Sequence, residues 1–188
     1  MSPSVRHTLL TGPPGVGKTT VIRSVIALGL PIAGGFYTSE IRTAGQRQGF
    51  AVKALGAGGS ETAMGVLAHV NIRGPLRVSK YGVDVECFDR VGVTALRAAR
   101  QRQGWIVIDE IGSMELYSWA FQVELLRCLD AANPVLGVIK NAAHPFLDSI
   151  RARPDVRIVE VTRANRDRLP TLLFSELVRH NTGERRDA

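Results

Sequence analysis

Gly12-Pro13-Pro14-Gly15-Val16-Gly17-Lys18-Thr19 is the segment whose residue types and spacing most plainly do chemistry. The eight residues fit G-x-x-x-x-G-K-[ST] and lie between a strand-like and a helix-like run, the context in which this Walker A pattern binds phosphate. Gly15 and Gly17 can take backbone angles that turn successive amide N–H groups into one concavity. The helix that follows directs its first amides and the positive end of its dipole at an anion. Lys18 can neutralise β- and γ-phosphates, and the Thr19 hydroxyl can ligate magnesium. Thr20 is counted with the same loop.

A second acidic motif follows an apolar run, Ile106-Val107-Ile108-Asp109-Glu110. Acidic residues at the end of a buried strand stand at the carboxyl edge of the sheet, beside a phosphate loop. Asp109 fits the Walker B role of holding magnesium, and Glu110 is placed to polarise an attacking water. The alternative for Glu110 is a strand-end cap or an arginine partner. Ile108, Ile111 and Gly112 are counted with the nucleotide-binding positions. Arg163, Asn165 and Arg166 follow the last predicted strand, where ligand loops of open α/β sheets gather. They are candidates for contacts to base or ribose, with Asn165 as a helix N-cap the competing role.

These residues need elements to position them. Apolar runs alternate with stretches of helical period, which predicts an α/β fold with a mostly parallel sheet flanked by helices. Strands are predicted over Val5 to Thr11, Trp105 to Ile108, Val135 to Ile139 and Val156 to Val161. Helices are predicted over Thr19 to Leu28, Phe88 to Gln101, Ser118 to Ala131 and Asn165 to Arg179, with a short one opened by Pro145. Two runs flanking Thr43-Ala44-Gly45-Gln46 read as a β-hairpin inserted after the first helix. Gly56 to Gly74 reads as a glycine-rich loop around a weak strand, and Tyr81 to Val85 as another strand.

The 188 residues suit one domain over 1–180, with a polar tail over 181–188. No apolar run is long enough to span a bilayer and no signal peptide is legible, so a cytoplasmic monomer without membrane contact is the expectation. Cys87 and Cys128 lack the spacing of a zinc site, and the four histidines are scattered. The net charge of +7 admits a nucleic-acid partner. Its arginines are dispersed, however, without a block of like charge, which favours a solvated surface around a polyphosphate site.

Gly12 to Thr20, Gly35-Phe36-Tyr37-Thr38-Ser39-Glu40-Ile41-Arg42, Ile108 to Leu116 and Val161 to Arg166 together resemble one family. It is the small stand-alone P-loop nucleoside-triphosphatases, whose animal member is the cancer-related nucleoside-triphosphatase. The likeness runs from about His7 to Arg166. It implies a RecA-like domain that hydrolyses several nucleoside triphosphates with Mg2+, with Lys18 and Glu110 catalytic and Thr19 and Asp109 at the metal. Ser113 departs from the Lys or Pro of the family, and Lys140 to Pro145 lacks the Lys/Gly-rich character of the animal form. Arg77 and Lys80 resemble a basic patch of the family and join Arg163 and Arg166 as candidates for an arginine finger or its equivalent. Two other functions stay open on the residues alone. One is a P-loop kinase with a lid over Lys140 to Arg153; the other is a nucleotide-dependent switch that binds RNA, DNA or protein.

Overall fold

The computed structural model describes residues 5–183. Along the chain come β1 (His7–Thr11), α1 (Lys18–Ala27), β2 (Ile32–Thr43), β3 (Gln46–Leu55), β4 (Glu61–His69), β5 (Arg77–Val78) and β6 (Tyr81–Val83). Then follow α2 (Val85–Phe88), α3 (Thr94–Arg100), β7 (Trp105–Ile111), α4 (Trp119–Asp130), β8 (Val135–Ile139), α5 (Pro145–Arg151), β9 (Val156–Glu160) and α6 (Leu169–Gly183). Of the expected tail, 181–183 continue α6, and 184–188 lie outside the described residues. Among the described residues no helix is long and apolar enough to cross a membrane.

The nine strands of the described residues join one sheet in the order β5-β6-β4-β3-β2-β7-β8-β1-β9. The ladders of β2, β7, β8, β1 and β9 are parallel, as the alternation of strands and helices predicts. Those of β2, β3, β4, β6 and β5 are antiparallel. The sheet is therefore mixed rather than mostly parallel, because the predicted hairpin of β2 and β3 recruits three more strands. β4 was the hardest to read because its first six residues are at least partly exposed, and no buried face imposes a period of two.

Strand alternation divides the core in two. Leu9, Phe36, Ile106 and Ile108 face one side, where Phe88, Leu96, Phe121, Leu125 and Ile150 cover them. Leu10, Tyr37, Val107 and Val138 face the other, under Val21, Ile22 and Val25 of α1 and Leu173 and Leu177 of α6. Because β7 and β8 are covered on both faces, Trp105 to Ile108 and Val135 to Ile139 read as continuous apolar runs. A helical run extends from Val85 through a π-type segment at Asp89–Val93 to Arg100, three residues earlier than predicted. The reason is Asp84, whose carboxylate accepts from the Cys87 N–H at 2.8 Å and ends the strand as an N-cap. α6 begins four residues later than predicted. Thr162 and Asn165 trade side-chain and backbone hydrogen bonds in a turn, and Pro170 suits the first turn of a helix rather than its interior.

Candidate functional site

The phosphate-loop motif folds as the connection between β1 and α1. Gly12, Gly15 and Gly17 have φ of +143°, +72° and +110°, a region that side chains disfavour. At Gly12 a Cβ would also stand 2.5 Å from the carbonyl oxygen of Val161, just past β9. Val16 N–H donates to Pro13 at 3.3 Å, and the first helical bond runs from Val21 N–H to Gly17 at 2.9 Å. Val16 is buried in the α1 side of the core, which anchors the loop, while Pro13, Pro14, Gly15 and Thr20 are exposed. The Lys18 ammonium curls back and donates to the Gly12 and Pro13 carbonyls at 2.9 and 3.0 Å.

Parallel register brings the acidic motif alongside. Leu10 pairs with Val138, Ile139 with Ile111 and Asp109 with Tyr37, so β1, β8 and β7 end at a common edge. Asp109 is 2 % exposed and receives a hydrogen bond from the Thr19 hydroxyl, while its Oδ2 has no hydrogen-bond partner among the described residues. Burial pushes its carboxyl up to about 7, against the Thr19 bond and the Lys18 charge, with Glu110 adding to the rise. Burial also raises Glu110 above the usual carboxylate range, opposed by the charges of Lys18 and Lys140. The structure thus brings Thr19 to Asp109 and Lys18 to both carboxylates. Ile108 and Ile111 are core side chains that could face a ligand only through their backbone.

A third carboxylate joins them. Glu115 is 3 % exposed and accepts backbone N–H bonds from Gly112 and from its own residue. Burial and then the Glu110 charge push it up to about 8. Gly112 makes room for the pair: a Cβ there would stand 2.5 Å from Glu110 Oε1 and 2.9 Å from Glu115 Oε2.

The predicted cations separate. Arg166 reaches the phosphate loop, donating to the Val16 carbonyl at 3.4 Å and lying against Gly17. Arg77 donates to the Lys80 carbonyl at 2.7 Å and Lys80 lies over the Tyr81 ring, so both serve their own turn. Asn165 receives the Thr162 N–H at 2.8 Å and donates to Glu160, a turn-building role. Arg163 is exposed. Sequence reasoning gave no role to Glu115 and named Lys140 only as the start of a kinase-type lid; its ammonium donates to Ser113 Oγ at 2.8 Å. The signal for Lys140 was available: it is the first charged residue after the buried strand Val135–Ile139, as Asp109 is after Ile108.

A family model described as NTPase matches residues 7–174. The nucleoside-triphosphatase THEP1 of Thermotoga petrophila is 39% identical over 180 residues, covering 95% of this chain and 96% of that protein. The human cancer-related nucleoside-triphosphatase is 38% identical over 181 residues, covering 87% and 92%. The crystal structure of THEP1 from the hyperthermophile Aquifex aeolicus is similar with a TM-score of 0.77 and 31% identity, over 90% of this chain and 98% of that one.

Proposed function

The chain belongs to this NTPase family, and from that membership we propose that it hydrolyses nucleoside 5′-triphosphates, ATP and GTP among them, to the diphosphate and inorganic phosphate. The observation that carries the reading is the convergence of Lys18, Thr19, Asp109 and Glu110 at the shared edge of β1 and β7. One strand, β8, lies between β1 and β7, which supports a RecA-like arrangement.

A divalent cation fits the residues present. Asp109 has a buried, unpartnered oxygen beside the Thr19 hydroxyl, and hard oxygen donors of this kind suit magnesium. Those two side chains would hold it, and when bound it would neutralise charge on the β- and γ-oxygens. The loop amides and Lys18 then hold the β- and γ-phosphates. Glu110 orients a water and takes its proton as the water oxygen bonds to the γ-phosphorus. The bond from that phosphorus to the bridging oxygen breaks, and the oxygen leaves with its electron pair on the diphosphate. The raised pKa of Glu110 makes it a stronger base than an exposed carboxylate. Arg166, whose side chain lies beside Gly17, remains a candidate for a contact to the base or ribose.

The test is phosphate release from ATP, GTP, CTP and UTP with Mg2+, by the native chain, Lys18→Ala and Glu110→Gln. Glu110→Gln is expected to lose on the order of 10²-fold in kcat or more while still binding the nucleotide. Lys18→Ala is expected to lose both turnover and affinity. A native chain that releases phosphate from none of the four overturns the reading.

A further inference from the structure

β8 lies between the strand that feeds the phosphate loop and the strand that ends in the carboxylates. Its five residues are all buried, so the first side chain free to leave the sheet at the shared edge is Lys140. The position is fixed from two directions. Lys140 N–H donates to the Ile111 carbonyl at 3.1 Å, which ties it to β7. The Arg151 guanidinium of α5 donates to the Lys140 carbonyl and, at 3.3 Å, to that of Ala142. The Lys140–Ala142 backbone therefore stays put while the long side chain can swing.

That side chain is half-buried, and its Nζ donates to Ser113 Oγ at 2.8 Å. Its charge also acts on Glu110, as the Lys18 charge does. Two ammonium charges thus act on the carboxylate that would orient water, one from the Lys18 loop and one from the end of β8. An ammonium carries three donors, and a neutral hydroxyl is a weaker partner for it than a phosphoryl oxygen. Two of the candidate arginines do not fill this place: Arg77 is bonded within its own turn, and Arg166 lies at Val16 and Gly17.

We propose that Lys140 is a further catalytic residue, whose ammonium leaves Ser113 and donates to the γ-phosphate oxygens as the bond to the leaving oxygen breaks. The inference rests on the nucleoside-triphosphatase reading. It means that the chain supplies in cis the cation that other phosphate-loop enzymes take from an arginine finger, without a partner chain.

The experiment compares Lys140→Met, Lys140→Arg and Ser113→Ala with the native chain, with thermal unfolding as the check on folding. Steady-state phosphate release is measured with Mg-ATP, and equilibrium binding with ADP alone and with ADP plus aluminium fluoride, a planar mimic of the transferring group. Loss of one donor to transition-state charge costs about 10²- to 10³-fold in kcat. Lys140→Met is expected to fall by that amount at a KM within about threefold, to bind ADP normally, and to lose the gain in affinity from aluminium fluoride. Lys140→Arg is expected to recover part of both, and Ser113→Ala to lose far less than Lys140→Met. Three results overturn the inference: a native kcat in Lys140→Met, an equal loss in Ser113→Ala, or an undiminished aluminium fluoride effect. Should Lys140→Met not fold, Lys140→Gln takes its place with the same readouts. A native chain without turnover would sink the parent reading instead, whereas an inactive Glu110→Gln beside a fully active Lys140→Met sinks this inference alone.

Discussion

Three carboxyl groups share the ground behind the phosphate loop, and one glycine sets how close two of them stand. Gly112 has ordinary backbone angles, so alanine is excluded there by its neighbours rather than by strain. The atoms in its way are carboxylate oxygens of Glu110 and Glu115, the free ends of side chains, and they can swing aside more cheaply than backbone. Gly112→Ala is therefore expected to displace Glu110 while leaving the fold intact. A misplacement of about 1 Å can cost on the order of 10²-fold in rate. The expected outcome is a ten- to hundred-fold loss (order of magnitude) in phosphate release with a nearly native melting temperature. A kcat within twofold of native would mean that the Glu110 position is not set by this contact. Lys18, Thr19, Asp109 and Glu110 were legible as candidates because each follows a local pattern, and the fold brings them together. Glu115 was not, because nothing local distinguishes a buried glutamate from a solvated one; its burial follows from the whole loop folding under Glu110.

Elements were legible in proportion to how completely they are buried. β7 and β8 stand where expected because two covered faces leave one apolar reading. The start of α6 and the Asp84 cap were missed because side-chain hydrogen bonds, not hydropathy, decide them. β1 also carries a titration that neither hydropathy nor spacing points to. His7 is buried; its Nδ1 accepts from Val135 N–H at 3.1 Å, and its Nε2 pairs with the Leu129 carbonyl at 3.1 Å. A ring that accepts at one nitrogen and donates at the other is neutral. Burial lowers its pKa to about 4, against the pull of Asp155 at 3.6 Å. In the unfolded chain the ring titrates near 6.5, so its contribution to stability is complete above 6.5 and is lost as pH falls through about 4. The shift corresponds to about 3 kcal/mol at most. Urea unfolding of the native chain and His7→Gln from pH 7.5 to pH 4 is expected to show the variant losing less stability on acidification. Parallel losses would assign the acid sensitivity elsewhere.

At the scale of the whole molecule, the +7 charge is distributed by internal pairing rather than gathered on one face. Glu124 is only 1 % exposed, and Arg97, Arg100 and Arg127 converge on it from α3 and α4. Arg153 bridges Asp130 and Asp155, Arg157 meets Glu176, and Arg151 divides itself between Asp148 and the Lys140 loop. The dispersed arginines of the sequence are thus largely committed within the fold. An exposed basic group does stand at the tip of the β2–β3 hairpin, where Arg42 and Arg47 both pair with Glu40 and Lys80 covers Tyr81. Two guanidinium groups sharing one carboxylate are too short a patch to form a track along a nucleic-acid backbone. RNA and single-stranded DNA are therefore expected to bind weakly at about 0.15 M salt, with a shallow dependence on salt, since few counterions would be released. Neither is expected to accelerate phosphate release. The measurement is fluorescence anisotropy of labelled RNA and DNA across a salt series, beside turnover with and without each polymer. Tight binding with a steep salt slope that Arg42→Glu removes, together with a tenfold faster turnover, would overturn this expectation. It would make hydrolysis the motor of a nucleic-acid switch instead of a stand-alone reaction.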